Sequence, residues 1–223
     1  MQFVTLLKQE IAVRNSALCF WLLISATGVC GAQPLRLGVL VSAPQDASEQ
    51  LIDSFQRETE RLVGFPGITL VWSRLEDNDG SQVYDRLVVV RIRGACRLKD
   101  GERPAYRGPL GITHISEGRI LPFVDLDCER VKSILAAGTF ARMFPVTHYA
   151  LGRAMGRVAA HELYHVLAES QEHAEAGIAK ASLSSSELLS DRMEFSEASL
   201  NRMRIRLRAA APATVAASFI GTH

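Results

Sequence analysis

The segment ALGRAMGRVAAHELYHVL, residues 150–167, limits the fold more than any other part of this 223-residue chain. It contains no proline, and Leu151, Met155, Val158, Ala159, Leu163 and Leu167 recur at helical spacing. The pattern predicts one long helix from Thr147 to about Leu167 with an apolar stripe turned to the core. What precedes it reads differently. RLGVLVS (36–42), ITLVWSRL (68–75) and RLVVVRIRGA (86–95) are short β-branched runs suited to strands. Between the first two, SEQLIDSFQRETERLVG (48–64) has helical periodicity, and EDNDGSQ (76–82) is a turn cluster.

The polar, Gly/Pro-punctuated stretch 98–109 predicts a surface loop. GPLGITHISEGRILPFVDLDC (108–128) predicts two short strands around a turn at Glu117 and Gly118, followed by a helix over 129–138. After the long helix, SSSELLSDRM (184–193) and SEASLNRMRIRLRAAA (196–211) predict two further helices. The order, strands first and helices last, predicts an α+β fold in a single domain, with a small mixed sheet, a central motif helix and C-terminal helices.

The amino terminus predicts an export signal over 1–32. Lys8 and Arg14 precede the apolar run ALCFWLLISATGVCGA, and Cys30 and Ala32 are small residues at positions −3 and −1 of a cut before Gln33. A retained anchor competes with this reading, but the run is short for a span of about 20 apolar residues. With the leader removed, no stable membrane insertion is expected. The expected domain then runs from 33 to 210, followed by a small-residue tail at 211–223. Removal also takes the basic count from 25 to 23 and the acidic count from 24 to 23, so net charge is near zero. Nothing in that balance points to nucleic acid as a partner. Cys96 and Cys128 are the two cysteines left, and an exported chain with two cysteines suggests one disulfide.

The chemistry concentrates in HELYHVLAESQEH, residues 161–173. His161 and His165 stand one turn apart on one face, so their imidazoles can take neighbouring corners of a zinc site. Glu162 sits beside them, placed to take a proton from a metal-activated water and pass it to a leaving amine. A hydrolytic site needs a third protein ligand. His173 can serve only if the helix stops near Ala168–Ser170, because eight more helical residues would carry it ~12 Å along the axis. VLAESQE contains no Gly or Pro, and its residues favour helix, so propensity argues against that stop. Glu187, in ELLSD, is the competing ligand, with Asp191 as a buttress for a zinc histidine. Ser184-x-x-Glu187 is equally a capping box, which would occupy that carboxylate with backbone.

HELYH resembles the motif of the zincin metallopeptidases, and ELLSD resembles the E-x-x-x-D of their thermolysin-like branch. The segment Leu151–Leu189 is more similar to a group of small exported bacterial proteins that are metzincin-like. The shared features here are Leu151-Gly152-Arg153, Ala160 to His165, His173, and Gly177-Ile178. The resemblance implies a zincin-like domain, a Zn2+ cofactor, a peptide or protein substrate, and His173 rather than Glu187 as third ligand. It also implies peptidase activity. Three departures stand beside it: Ala168 and Gln171 occupy the metzincin glycine and histidine positions, no methionine follows Gly177-Ile178 directly, and no tyrosine lies beyond Tyr164. Tyr149, Tyr164 or backbone N–H groups are left to help stabilise an oxyanion. The alternative implied by these departures is a non-catalytic zinc-binding or interaction module. His148 reads as a packing or surface residue, His114 as an ordinary strand position beside a possible cleft. Arg202, Arg204, Arg206 and Arg208 read as a solvated face.

Overall fold

The computed structural model describes residues 34–98, 108–138, 145–209 and the pair 215–216. The expected leader at 1–32 lies outside the described residues, as do most of the loop at 98–109 and all but two residues of the tail at 211–223.

The strands come where β-branched runs occur: β1 (Leu35–Ser42), β2 (Ile68–Arg74), β3 (Val83–Tyr84), β4 (Arg86–Arg93), β5 (Gly111–Ser116) and β6 (Arg119–Asp127). Five of them form one mixed sheet in the order β2-β1-β4-β6-β5. The first four are mutually parallel, and β5 returns antiparallel to β6. Position in the sheet explains the residue patterns. Central β1 buries Leu37 through Val41 without interruption, as a strand covered on both faces must. Edge strand β5 is half-exposed along its length. The β5–β6 turn falls on Glu117 and Gly118, both with positive φ (52° and 74°), the conformation of a tight two-residue hairpin. A two-residue strand β7 (Val215–Ala216) pairs with β3.

Helix α1 (Glu49–Val63) follows β1, α2 (Cys128–Ala137) follows β6, and then come α3 (His148–Ala168), α4 (Ser185–Leu189) and α5 (Glu197–Ala209). The expected helix over 184–193 shrinks to the five residues of α4. The α+β class, the small mixed sheet and the central motif helix are as the sequence predicts. Thr147 caps α3 by accepting from the Ala150 N–H (3.1 Å), and every residue of the predicted apolar stripe is buried.

α3 lies hard against α1 because two glycines face it. A Cβ on Gly152 would come 2.4 Å from the Leu51 carbonyl oxygen, and one on Gly156 would come 2.8 Å from that of Phe55. Small residues at i and i+4 thus let two backbones approach to contact. A buried ion pair crosses the same interface: Arg157 Nε donates to Glu58 Oε1 at 2.7 Å, and Arg61 Nη2 reaches the same carboxylate at 2.9 Å. Burial alone would push the Glu58 carboxyl up, but the two guanidiniums overcome it and hold it below the ordinary range. Cys96 and Cys128 are joined in a disulfide that ties the end of β4 to the start of α2. Closing a separation of 32 residues this way contributes about 3–4 kcal/mol in the chain-entropy account. Among the described residues no helix is long and apolar enough to cross a membrane.

Candidate metal centre

α3 ends at Ala168, against the propensity of the residues that follow. Glu169 takes a left-handed conformation (φ 48°, ψ 44°), and the Ser170 N–H turns back to the His165 carbonyl at 3.2 Å. Side chains from elsewhere hold the turn. Arg202 on α5 donates to Glu172 (2.7 Å) and to Ser170 Oγ (3.3 Å), while Arg86 and Arg206 flank the Glu169 carboxylate at 3.9 and 4.0 Å. The chain then runs back past the motif, and His173 returns to the two helix histidines.

The His173 ring stacks on His161 with centroids 5.2 Å apart, and stands edge-on to His165 at 4.9 Å. Ligand-capable nitrogens of His161, His165 and His173 all lie within 4.8 Å of one another. Glu187 is not part of this group. Its carboxylate is held by Lys180 and by the Ser184 N–H and hydroxyl, in a complete capping box. The Lys180 and Ser184 bonds pull its pKa down to about 2. Asp191 is likewise remote: its side chain is 92% exposed and meets Arg153 at 3.5 Å.

Backbone carbonyls do what Asp191 was expected to do. His161 Nδ1 is 2.8 Å from the Ile178 oxygen, and His165 Nδ1 is 2.7 Å from the Ser170 oxygen. A carbonyl can only accept, so both Nδ1 atoms carry the proton and both Nε2 atoms of the neutral rings are bare. Those two Nε2 atoms stand 3.2 Å apart. Two lone pairs facing at that distance repel unless a cation lies between them. Protonating His161 is a poor remedy, because burial, with the neighbouring histidine charges, pushes its pKa down to about 4 despite the Ile178 bond. The separation also matches the edge of a zinc tetrahedron, about 3.3 Å for Zn–N bonds of about 2.0–2.1 Å. The donor set fits a divalent zinc ion.

The carbonyl that orients His161 is itself held in place. The Ile178 N–H donates to Glu194 O (3.0 Å), and three arginines grip the preceding segment. Arg157 donates to the carbonyl of Glu187 (2.7 Å), Arg153 to that of Ser190 (3.1 Å) and Arg61 to that of Met193 (2.8 Å). The buried Glu58 pair therefore connects, through this segment, to the orientation of the His161 imidazole.

Glu162 is buried, and Thr113 on β5 donates to its Oε2 at 2.7 Å, while Oε1 lies against Gly111. Burial raises its pKa, opposed by the Thr113 bond and by His165. Gly111 makes the fit possible, since a Cβ there would lie 2.7 Å from both Glu162 Cγ and Oε1. The three histidines and Glu162 share a cleft of ≈ 740 Å³ whose other walls combine apolar residues such as Ile112, Ile134 and Leu183 with polar Thr113, Gln171, Lys180 and Ser182.

No protein-family model matches the chain, and none of the curated proteins is significantly similar to it in sequence. In fold it is similar to archaemetzincin from Methanopyrus kandleri. The match covers 81% of this chain and 99% of that one, with TM-score 0.47 and 12% identity. At that distance no residue role passes from one chain to the other.

The two tyrosines expected to help an oxyanion need correction, and the other residues weighed fall outside the cleft. Tyr164 is buried behind His165, its ring 5.6 Å away and packed on Phe195, and does not line the cleft. Tyr149 sits at the start of α3 beneath Arg153 (5.7 Å), ~18 Å along the axis from His161. Neither is positioned for an oxyanion. His148, the first residue of α3, is further still. His114 faces the other side of β5, where its Nε2 is 2.9 Å from Asp125 Oδ2. Thr113, which the sequence did not single out, lines the cleft and bonds Glu162. Met193 and Met203 are buried in the core, and no methionine is among the residues lining the cleft. Lys180 is a residue that sequence reasoning passed over, although it lines the cleft and neutralises Glu187. A hint was available in its place just after Gly177-Ile178.

Proposed function

We propose that the chain is an exported zinc-dependent peptidase, with His161, His165 and His173 as metal ligands and Glu162 as general base. One observation carries the reading: two imidazoles whose Nδ1 atoms are committed to carbonyls turn bare Nε2 atoms toward each other at 3.2 Å, beside a third histidine and a buried carboxylate. Zinc held by these three histidines would supply a Lewis acid that lowers the pKa of water and polarises a carbonyl. Glu162 takes the water proton on Oε1 while Thr113 holds Oε2, and then delivers it to the leaving amine. Its raised pKa brings it nearer the working pH of a base. The exposed edge of β5 offers hydrogen-bonding backbone to an extended peptide passing Glu162. Export is supported by the apolar leader pattern over 1–32 and by the Cys96–Cys128 disulfide, which suits an oxidising compartment.

A second reading, a zinc-binding or interaction module without catalysis, is favoured by one fact. Among the described residues no tyrosine lines the cleft to stabilise an oxyanion. Measuring bound zinc and peptide hydrolysis separates the two. The enzyme reading expects wild type to bind one zinc and cleave, Glu162→Gln to keep zinc and lose cleavage, His173→Ala to lose zinc, and Glu187→Ala to keep it. Full zinc binding without cleavage of any peptide selects the second reading. A wild type that binds no zinc removes both.

A further inference from the structure

The cleft at the histidines continues into a second one. A cavity of ≈ 760 Å³ adjoins it, and Ile120 and Gln171 line both. The second cavity has a different character. Its walls come from the β5–β6 hairpin, the turn after α3, and α5, and they carry Arg119, Arg202 and Arg206 against Glu169 and Glu172. The guanidiniums outnumber the carboxylates, and only one is tightly paired. Arg202 meets Glu172 at 2.7 Å, whereas Arg206 stands 4.0 Å from Glu169. Arg119 meets Glu117 at 3.8 Å with both side chains more than 80% exposed. Pairs that long and that solvated hold their charges weakly, and an incoming carboxylate can take up the forked donors of Arg119 and Arg206.

The route between the cavities is laid out by β5. It starts at Gly111, against Glu162, and ends at Ser116 beside the hairpin whose Gly118 lines the second cavity. At about 3.3 Å per residue, an extended chain lying along this edge reaches the arginines three to five residues from the bond beside Glu162.

We propose that this second cavity is a substrate subsite that selects an acidic side chain several residues from the scissile bond, with Arg206 and Arg119 as its specificity-determining residues. The proposal rests on the peptidase reading above. It gives a role to Arg206, whose run of arginines alternating with apolar residues otherwise reads as a solvated face.

The test is a panel of quenched fluorescent peptides, identical except that Glu, Ala or Lys is placed in turn at five positions on each side of the cleaved bond. With the zinc-loaded full chain, one position shows kcat/KM about three- to tenfold higher for Glu than for Lys, and the ratio shrinks as salt is raised. Arg206→Glu, an exposed position that the fold tolerates, inverts the ratio at that position. Arg119→Glu reduces it. Arg208→Glu, exposed on the same helix but outside the cavity, leaves it as in wild type. A flat panel from an active enzyme overturns the subsite and leaves the peptidase intact, as does a ratio unmoved by Arg206→Glu. Should no peptide be cleaved, the peptidase reading fails separately, and the same panel is read by fluorescence anisotropy. Tighter binding of the Glu peptides that Arg206→Glu abolishes then supports an acidic-peptide site, and charge-independent or absent binding overturns it.

Discussion

Thr113 Oγ1 lies 2.7 Å from Glu162 Oε2, tying the edge strand of the sheet to the carboxylate beside the histidines. The bond favours the charged form of a carboxylate that burial pushes toward the neutral one. Thr113→Val removes the hydroxyl and keeps the shape. Glu162 then titrates at higher pH, so the acid limb of the kcat/KM profile moves up, and activity at neutral pH falls about tenfold. Carbon NMR of the labelled Glu162 carboxyl in the metal-free chain checks the shift without relying on turnover. An unmoved titration would mean that the hydroxyl does not act on the carboxylate.

Glu169 holds the turn that brings His173 back, in a left-handed conformation that costs an L-residue about 1 kcal/mol or more. Glycine adopts it freely, and the ion pairs lost, at 3.9 and 4.0 Å, contribute little. Glu169→Gly is therefore expected to raise Tm by about 1–3 °C and keep zinc affinity. Glu169→Val, β-branched and strained at positive φ, should lower both. Calorimetry and chelator competition on the two variants decide it, and equal behaviour of Gly and Val would refute the strain.

Local signals made α3, the strands and the His161–His165 pair legible, because periodicity and i,i+4 geometry depend on near neighbours alone. The stop after Ala168 was not legible, since VLAESQE favours helix and the turn is tied down by Arg202 from a distant element. The partners of His161 and His165 were hidden for another reason. They are main-chain oxygens of Ser170 and Ile178, and no residue type announces a carbonyl. Asp191, a plausible buttress by spacing, points to solvent instead. GITHIS read correctly as a strand, but the residue type that suggests chemistry, His114, bonds Asp125 while Thr113 lines the cleft.

Glu58 and Arg157 form a buried pair whose loss from one side leaves a charge without its partner. Glu58→Ala is expected to destabilise the fold by about 3–5 kcal/mol, while Glu58→Met with Arg157→Met recovers much of that. The double variant still lacks the Arg157 bond to the Glu187 carbonyl, on the segment that fixes Ile178. Zinc affinity should thus stay about 10-fold or more below wild type even where stability returns. Denaturant melts and zinc titrations read the two effects independently, and full recovery of affinity would disconnect the pair from the metal centre.

Acid should destabilise the metal-free chain in a window set by His161. Its folded pKa, pushed by burial down to about 4, lies below the ordinary histidine value of 6.5. Between those limits the unfolded state binds the additional proton, so the folded state loses stability as pH falls from 6.5 toward about 4. His173, also lowered chiefly by burial, acts in the same direction. Glu58, held low, adds a further loss below the ordinary glutamate value of 4.5. Glu162 opposes them, because its raised pKa lets the folded state take a proton before the unfolded one does. The same depressed histidines compete poorly for protons in the folded chain, so zinc release on acidification should have its midpoint below pH 6.5. Stability of the metal-free chain measured from pH 7.5 to 4 should fall with a slope that His161→Asn reduces. A slope unchanged in that variant would show that the imidazole is not held neutral by burial.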